Sequence, residues 1–123
     1  MSLFDRFRRK RPVPRIEGRI EFLWEQDGQT EGRVKAALVR EFASRLDVQR
    51  AYLVRAGFQP KDPTAVALCM CVTGSDQKRI VERIGEIARE QLPRSMFFDV
   101  LFLTPEQEAE VSAVCQPFYI ASS

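Results

Sequence analysis

The chain contains no histidine among its 123 residues. That absence removes the commonest general base, the commonest metal ligand and the imidazole that activates serine or cysteine nucleophiles. A glycine-rich phosphate loop is missing too. The six glycines are scattered, and none falls into the G-x-G-x-x-G or G-x-x-x-x-G-K spacing. No stretch approaches the roughly 20 uncharged apolar residues that span a bilayer. No apolar segment follows the basic N-terminus, so a secretory signal is not expected. Cysteine is sparse: three residues, an odd number without framework spacing, which fits a reducing compartment. These absences point to a cytoplasmic protein that binds rather than catalyses, with no cofactor, no metal and no evident small-molecule substrate.

What is present is enough for one folded domain. An apolar share of 45% places the chain among globular proteins rather than disordered ones. Its length suits one core and not two. The net charge of +2 hides an asymmetry. Residues 1–19 carry seven basic and two acidic side chains, a net +5, which leaves −3 for residues 20–123. Residues 1–18 therefore read as a basic arm, broken by Pro12 and Pro14. In this arm Leu3, Phe4 and Phe7 alternate with Arg6, Arg8, Arg9, Lys10 and Arg11. Those five cations are candidate contacts for an anionic membrane surface or for nucleic-acid phosphates. A plain solubilising tail is the third reading.

Residues 19–123 read as a single α+β domain. Ile20, Phe22 and Trp24 alternate with charged residues as a strand, and Asp27-Gly28 turns it. Thr30 is a candidate N-cap for a helix carrying Val34, Ala37, Leu38, Phe42 and Leu46 at helical spacing. Val48 to Phe58 and Thr64 to Thr73 read as strands joined in a hairpin across Pro60 and Pro63. A second helix, with Ile80, Val81, Ile84, Ile87, Ala88 and Leu92 on one stripe, ends at Pro93. Met96 to Leu103 is a fourth strand. Thr104-Pro105-Glu106-Gln107 then opens a short acidic helix with a capping Thr, Pro at the first position and Gln three residues on. The order β-α-β-β-α-β-α suggests a four-stranded, mostly antiparallel sheet of ferredoxin-like plan, with two main helices on one face.

The strands carry more apolar residues than one face needs. With Ile20, Phe22, Trp24, Tyr52, Val54, Val66, Leu68, Met70, Phe98, Val100 and Phe102 facing the core, a second apolar set is left over. It holds Leu23, Ala51, Leu53, Ala65, Ala67, Cys69, Cys71, Phe97, Leu101 and Leu103. Either this second face is an interface, or the third helix and C-terminal segment fold back over it. Cys69-Met70-Cys71 puts two thiols on one face of a strand, but nothing completes a metal site, and small buried residues are the simpler reading. Asp99 stands within Phe97-Phe98-Asp99-Val100-Leu101, where a lone buried carboxylate would be costly. It is expected at an open face or edge, paired with an arginine such as Arg55 or with a backbone amide.

Several of these segments together resemble the C-terminal domain of the SseB family, the "enhanced serine sensitivity" proteins of bacteria. The residues that carry the likeness are Ala51-Tyr52-Leu53, the Asp99 strand and the closing Pro117-Phe118-Tyr119, and it spans roughly residues 16–120. It implies a bacterial, cytoplasmic, non-enzymatic domain and supplies no catalytic residues. Larger members place another SseB-type domain first, where this chain has its basic arm. The combined expectation is a self-associating or accessory protein-interaction module. Its candidate interface is Tyr52, Leu53, Phe97, Asp99, Leu101, Pro117, Phe118 and Tyr119.

Overall fold

A computed structural model describes residues 20–44, 47–57, 64–74, 76–93, 96 and 98–121. The elements are β1 (Glu21–Glu25), α1 (Gln29–Ala43), β2 (Val48–Gly57), β3 (Ala65–Val72), α2 (Gln77–Gln91), β4 (Asp99–Phe102), α3 (Pro105–Ser112) and β5 (Tyr119–Ile120). The βαββαβ succession and the extra C-terminal helix are those expected from the sequence. In the sheet the strands lie in the order β1-β2-β3-β4. β1 and β2 pair antiparallel, as do β2 and β3, while β3 and β4 pair parallel across the α2 connection.

Both main helices begin where backbone chemistry lets them. The N-cap of α1 is Gly28 at φ 152°, not Thr30, and no side chain caps the helix. That φ is one that residues with a side chain rarely adopt, so the conformation requires glycine there, while the neighbouring Glu31 carboxylate sits at the end of a flexible side chain that could move aside. Val34, Ala37, Leu38 and Phe42 form the buried stripe of α1. On α2 the stripe is Ile80, Val81, Ile84, Gly85, Ile87 and Ala88. Arg83 joins the two helices, donating from Nε to Glu41 at 2.9 Å and from Nη1 to Glu86 at 2.7 Å.

Two apolar clusters sandwich the sheet. One sets α1 and α2 against Val48, Ala51, Leu53, Leu68, Met70, Phe98 and Val100. The other sets Val111 and Cys115 against Phe22, Tyr52, Val54, Ala56, Ala67 and Cys69. The second face is thus covered by α3 and the residues just after it. Of the two readings left open by the sequence, fold-back is the one the structure shows.

Strand pairing corrects which residues share a face. Tyr52 lies opposite Cys69 and Val54 opposite Ala67, while Leu53 lies opposite Leu68. Phe22, Tyr52 and Val54 therefore belong to the α3 side, and Ala51 and Leu53 to the α1–α2 side, the reverse of the expectation. The physical reason is that β2 and β3 are apolar on both faces, so alternation gives no direction and a one-residue slip exchanges them. Trp24 also departs from expectation. A bulge between Phe22 and Trp24 shifts the register, and the indole is 56% exposed.

β5 escaped the sequence reading because it is two residues long. It pairs antiparallel with β2 at Arg50 and Ala51, beyond the point where β1 stops. Phe118 N–H donates to Ala51 O at 2.9 Å, and Ala121 N–H to Gln49 O at 2.8 Å. β1 and β5 thus share one outer edge of β2, end to end. The joint is tied by Gln116 N–H to Glu25 Oε1 at 3.2 Å.

Candidate functional site

The most elaborate polar arrangement among the described residues lies where α3 meets the sheet. A bulge between Val48 and Arg50 brings Arg50 onto the α3 face, opposite Cys71 and two residues from Tyr52. The capping box starts α3 at a fixed point: Thr104 Oγ1 accepts from Gln107 N–H at 3.1 Å, and Gln107 Oε1 from Thr104 N–H at 3.0 Å. One turn on, Glu108 reaches the strand. It accepts two bonds from Arg50, from Nε and from Nη2 (2.9 Å), and one from the Tyr52 hydroxyl at 2.7 Å.

The electrostatics follow from this geometry. The Arg50 guanidinium, helped by Tyr52 and the Cys71 thiol, brings the Glu108 carboxyl down to about 2. The same pairing raises Arg50 above its already high value. Burial, then the bond to Glu108, pushes the Tyr52 phenol up to about 12. Burial, again with the carboxylate nearby, lifts Cys71 to about 11. The cluster is a planar two-point clamp of charge-assisted bonds. It keeps Glu108 ionised but only weakly basic, and Tyr52 and Cys71 protonated, so these three groups are held for structure rather than poised as a nucleophile or strong base.

The remaining thiols are similarly placed. Cys69 is fully buried, and its thiol is raised by burial. Cys115, brought to the same face by α3, is raised to about 11, again first by burial, and its Sγ donates to Leu53 O at 3.5 Å. That Cys115 joins Cys69 in one cluster was not legible beforehand, because the two are 46 residues apart. No group of three or more His, Cys, Asp or Glu able to hold a metal ion lies among the described residues. No helix among them is long and apolar enough to cross a membrane.

The candidate interface residues divide by burial. Tyr52, Leu53 and Asp99 are at most 2% exposed and sit inside the protein's own packing. Leu101 is half-buried against the α3-side cluster. Asp99 does occupy an edge strand, beside Ala67. Arg55, however, lies opposite Val66 on the other face, donating from Nε to Gln26 at 3.1 Å. Parity separates the two, so the expected Asp99–Arg55 pair is not formed. Pro117, Phe118 and Tyr119 are half-buried. The Phe118 and Tyr119 rings pack on Phe42, with centroids 6.5 and 5.4 Å away, and the Tyr119 hydroxyl donates to Phe42 O at 3.2 Å. Lys35 closes the corner, its Nζ 5.9 Å above the Phe118 ring and 3.5 Å from Asp27. This end pins the C-terminus to the fold. Phe97 and the arm residues Arg6, Arg8, Arg9, Lys10 and Arg11 lie outside the described residues.

The family model for the SseB protein C-terminal domain matches residues 29–120. The chain belongs to the SseB C-terminal domain family. The resemblance read from Ala51-Tyr52-Leu53, the Asp99 strand and Pro117-Phe118-Tyr119 is thereby confirmed. The match begins at α1, so within this SseB-type domain β1 and its Trp24 stand outside the matched region. No curated protein and no solved structure matches the chain.

The surface left to this SseB-type domain differs from the one expected. With both sheet faces covered, its exposed large apolar side chains are Trp24 (56%), Met96 (42%), Val114 (38%) and Ile120 (63%) among the described residues. Trp24 and Ile120 stand on the same outer edge, one on β1 and one on β5. Neither belonged to the candidate set. Trp24 could have been found only by anticipating the bulge, and Ile120 only by anticipating β5.

Proposed function

We propose that this SseB-type domain is a non-catalytic, self-associating protein-interaction module of the bacterial cytoplasm, with the β1–β5 edge as its contact surface. The observation behind the reading is the pair Trp24 and Ile120, the two most exposed large apolar side chains among the described residues, placed along one sheet edge. An exposed tryptophan is a frequent energetic centre of protein interfaces. An open edge also offers unpaired backbone groups to another strand. Support for a non-catalytic role comes from the absence of histidine and from the use of Arg50, Tyr52, Cys71 and Glu108 to hold α3.

Light scattering after gel filtration tests this. The wild-type chain should elute with twice the protomer mass, and Trp24→Ala with Ile120→Asp should elute as a monomer. A wild type that stays monomeric at the highest soluble concentration removes the reading. A second reading rests on the charge asymmetry: the net +5 of residues 1–19 would bring the domain to an anionic membrane surface or to nucleic acid.

A further inference from the structure

The β1–β5 edge can be read position by position with β2 as its ruler. Glu21, Trp24 and Glu25 stand opposite Gly57, Arg55 and Val54, and Ile120 stands opposite Arg50. Directly opposed residues share a face of the sheet. Arg55 and Arg50 lie on opposite faces, so Trp24 borders the α1–α2 side and Ile120 the α3 side, five positions further along β2. Glu21 is exposed, and the Glu25 side chain keeps 41% exposure although it accepts from Gln116 and lies 4.0 Å from Lys35. The edge is thus an exposed apolar pair set among carboxylates. Folded proteins cover such an edge with a strand or loop. Residues 1–19 enter the domain at its start, where Ile20 packs against the α3-side cluster. They carry +5 against the domain's −3, and they hold Leu3, Phe4 and Phe7 among the cations.

We propose that residues 3–11 lie along the β1–β5 edge of their own chain, antiparallel to β1 and β5, and compete there with a second copy. One register matches this segment to the edge. Counted along β2, Arg9 beside Trp24 puts Arg8 beside Glu25 and Phe4 beside Ile120. Arg11 then falls within a residue of Glu21, the β1 bulge taking up the difference. Phe7 becomes the same-face diagonal neighbour of Trp24. Phe4 and Phe7 have opposite parity, as do the two exposed side chains they cover. Cations thus meet carboxylates, a guanidinium meets the indole, and the phenyl rings meet apolar side chains. Length allows it: the edge from Glu21 to Ile120 spans seven steps of β2, about 24 Å, and residues 4–11 make the same seven steps. Residues 12–19, with Pro12, Pro14 and Gly18, are left to reverse the chain. The tether gives the arm an effective concentration on the order of millimolar, so a second copy must displace it. That competition rests on the edge reading above, and the docking itself does not.

Trp24 is the chain's one tryptophan and reports the docking directly. The full chain is diluted until light scattering shows a monomer. It should then emit further to the blue, and be quenched less by acrylamide, than full-length variants carrying Phe4→Ser with Phe7→Ser or Arg8→Glu with Arg9→Glu. All four residues precede the first strand, so the fold is retained, as far-ultraviolet circular dichroism should show. Equal emission and quenching in wild type and variants overturn the docking. NMR contacts from Phe4 to Ile120 and from Phe7 to Trp24 within one chain support it. In a mixed labelled and unlabelled sample, the same contacts arising between chains would seat the arm on a second copy and overturn docking on its own chain. For the competition, both variants should dimerise at lower concentration than wild type in sedimentation equilibrium, and an unchanged or weaker dimer overturns it. If quenching is equal while Trp24→Ala with Ile120→Asp still dissociates a dimer, the edge reading stands without the arm. If no chain dimerises and Trp24 is shielded only in the wild type, the docking stands and the edge reading falls.

Discussion

Glu108 is one residue on which two elements depend. Its side chain keeps 21% exposure and that of Arg50 41%, so the clamp is partly screened by water. Its contribution is therefore set at about 1–2 kcal/mol, between an exposed pair and a buried charged hydrogen bond. Folding lowers the carboxyl from its ordinary 4.5 to about 2. A depressed carboxylate stabilises fully above its unfolded value, and that stabilisation fades as pH falls from about 5 through 2. Glu108→Gln should thus be less stable than wild type at pH 7 by about 1–2 kcal/mol in urea unfolding. The gap should shrink steadily below pH 4, and a gap independent of pH would show that Glu108 is not ionised against Arg50. Tyr52 works in the opposite sense. Its phenol is held protonated up to about 12, while the unfolded chain ionises near 10, so stability falls as pH rises through that window. Tyr52→Phe should cost about 1 kcal/mol at neutral pH and flatten the alkaline decline relative to wild type.

At the scale of elements, local chemistry and pairing differ in how much they reveal. The start of α3 was legible to the residue, since Thr104, Pro105 and Gln107 form a capping box that needs no tertiary partner. The helical stripes of α1 and α2 were legible because 3.6-residue spacing marks one face only. The faces of β2 and β3 were not, because strands apolar on both sides carry no parity signal. Nor was the β1 bulge, a matter of register against β2, nor β5, which has an edge to pair with because β2 runs past the end of β1. The candidate site suffered most: Leu53 read as surface because the face of β2 was reversed, and Tyr52 because α3 had no assigned position. The way α3 covers the sheet also makes a prediction. The cysteines under or beside α3 are protonated and at least partly buried, so native thiols should react slowly with a disulfide reagent at pH 8, and all three should react at once in urea. Thr104→Ala, which costs about 1 kcal/mol of cap, should speed native labelling of Cys115. Unchanged labelling would mean that α3 does not open from its N-terminal end.

The whole molecule is electrically divided. The segment 1–19 carries +5 and the remainder −3, within a chain of net +2. A chain beginning at Arg15 loses Arg6, Arg8, Arg9, Lys10, Arg11 and Asp5, and with them a net +4, so it becomes mildly acidic. It also loses Leu3, Phe4 and Phe7, the apolar residues between those cations. The two losses separate the candidate partners. On vesicles containing anionic lipid, cations near the surface contribute about 1 kcal/mol each, and the apolar side chains add salt-resistant affinity. On nucleic acid, binding would follow counterion release alone and collapse with salt. The full chain should therefore sediment with anionic vesicles and retain part of that binding as salt is raised, while the chain from Arg15 should stay in solution. Substituting Phe4 and Phe7 by Ser should abolish the salt-resistant fraction and leave the low-salt fraction largely intact. Equal behaviour of the long and short chains on vesicles and on RNA would reduce the arm to a solubilising tail and leave the folded domain as the only binding surface.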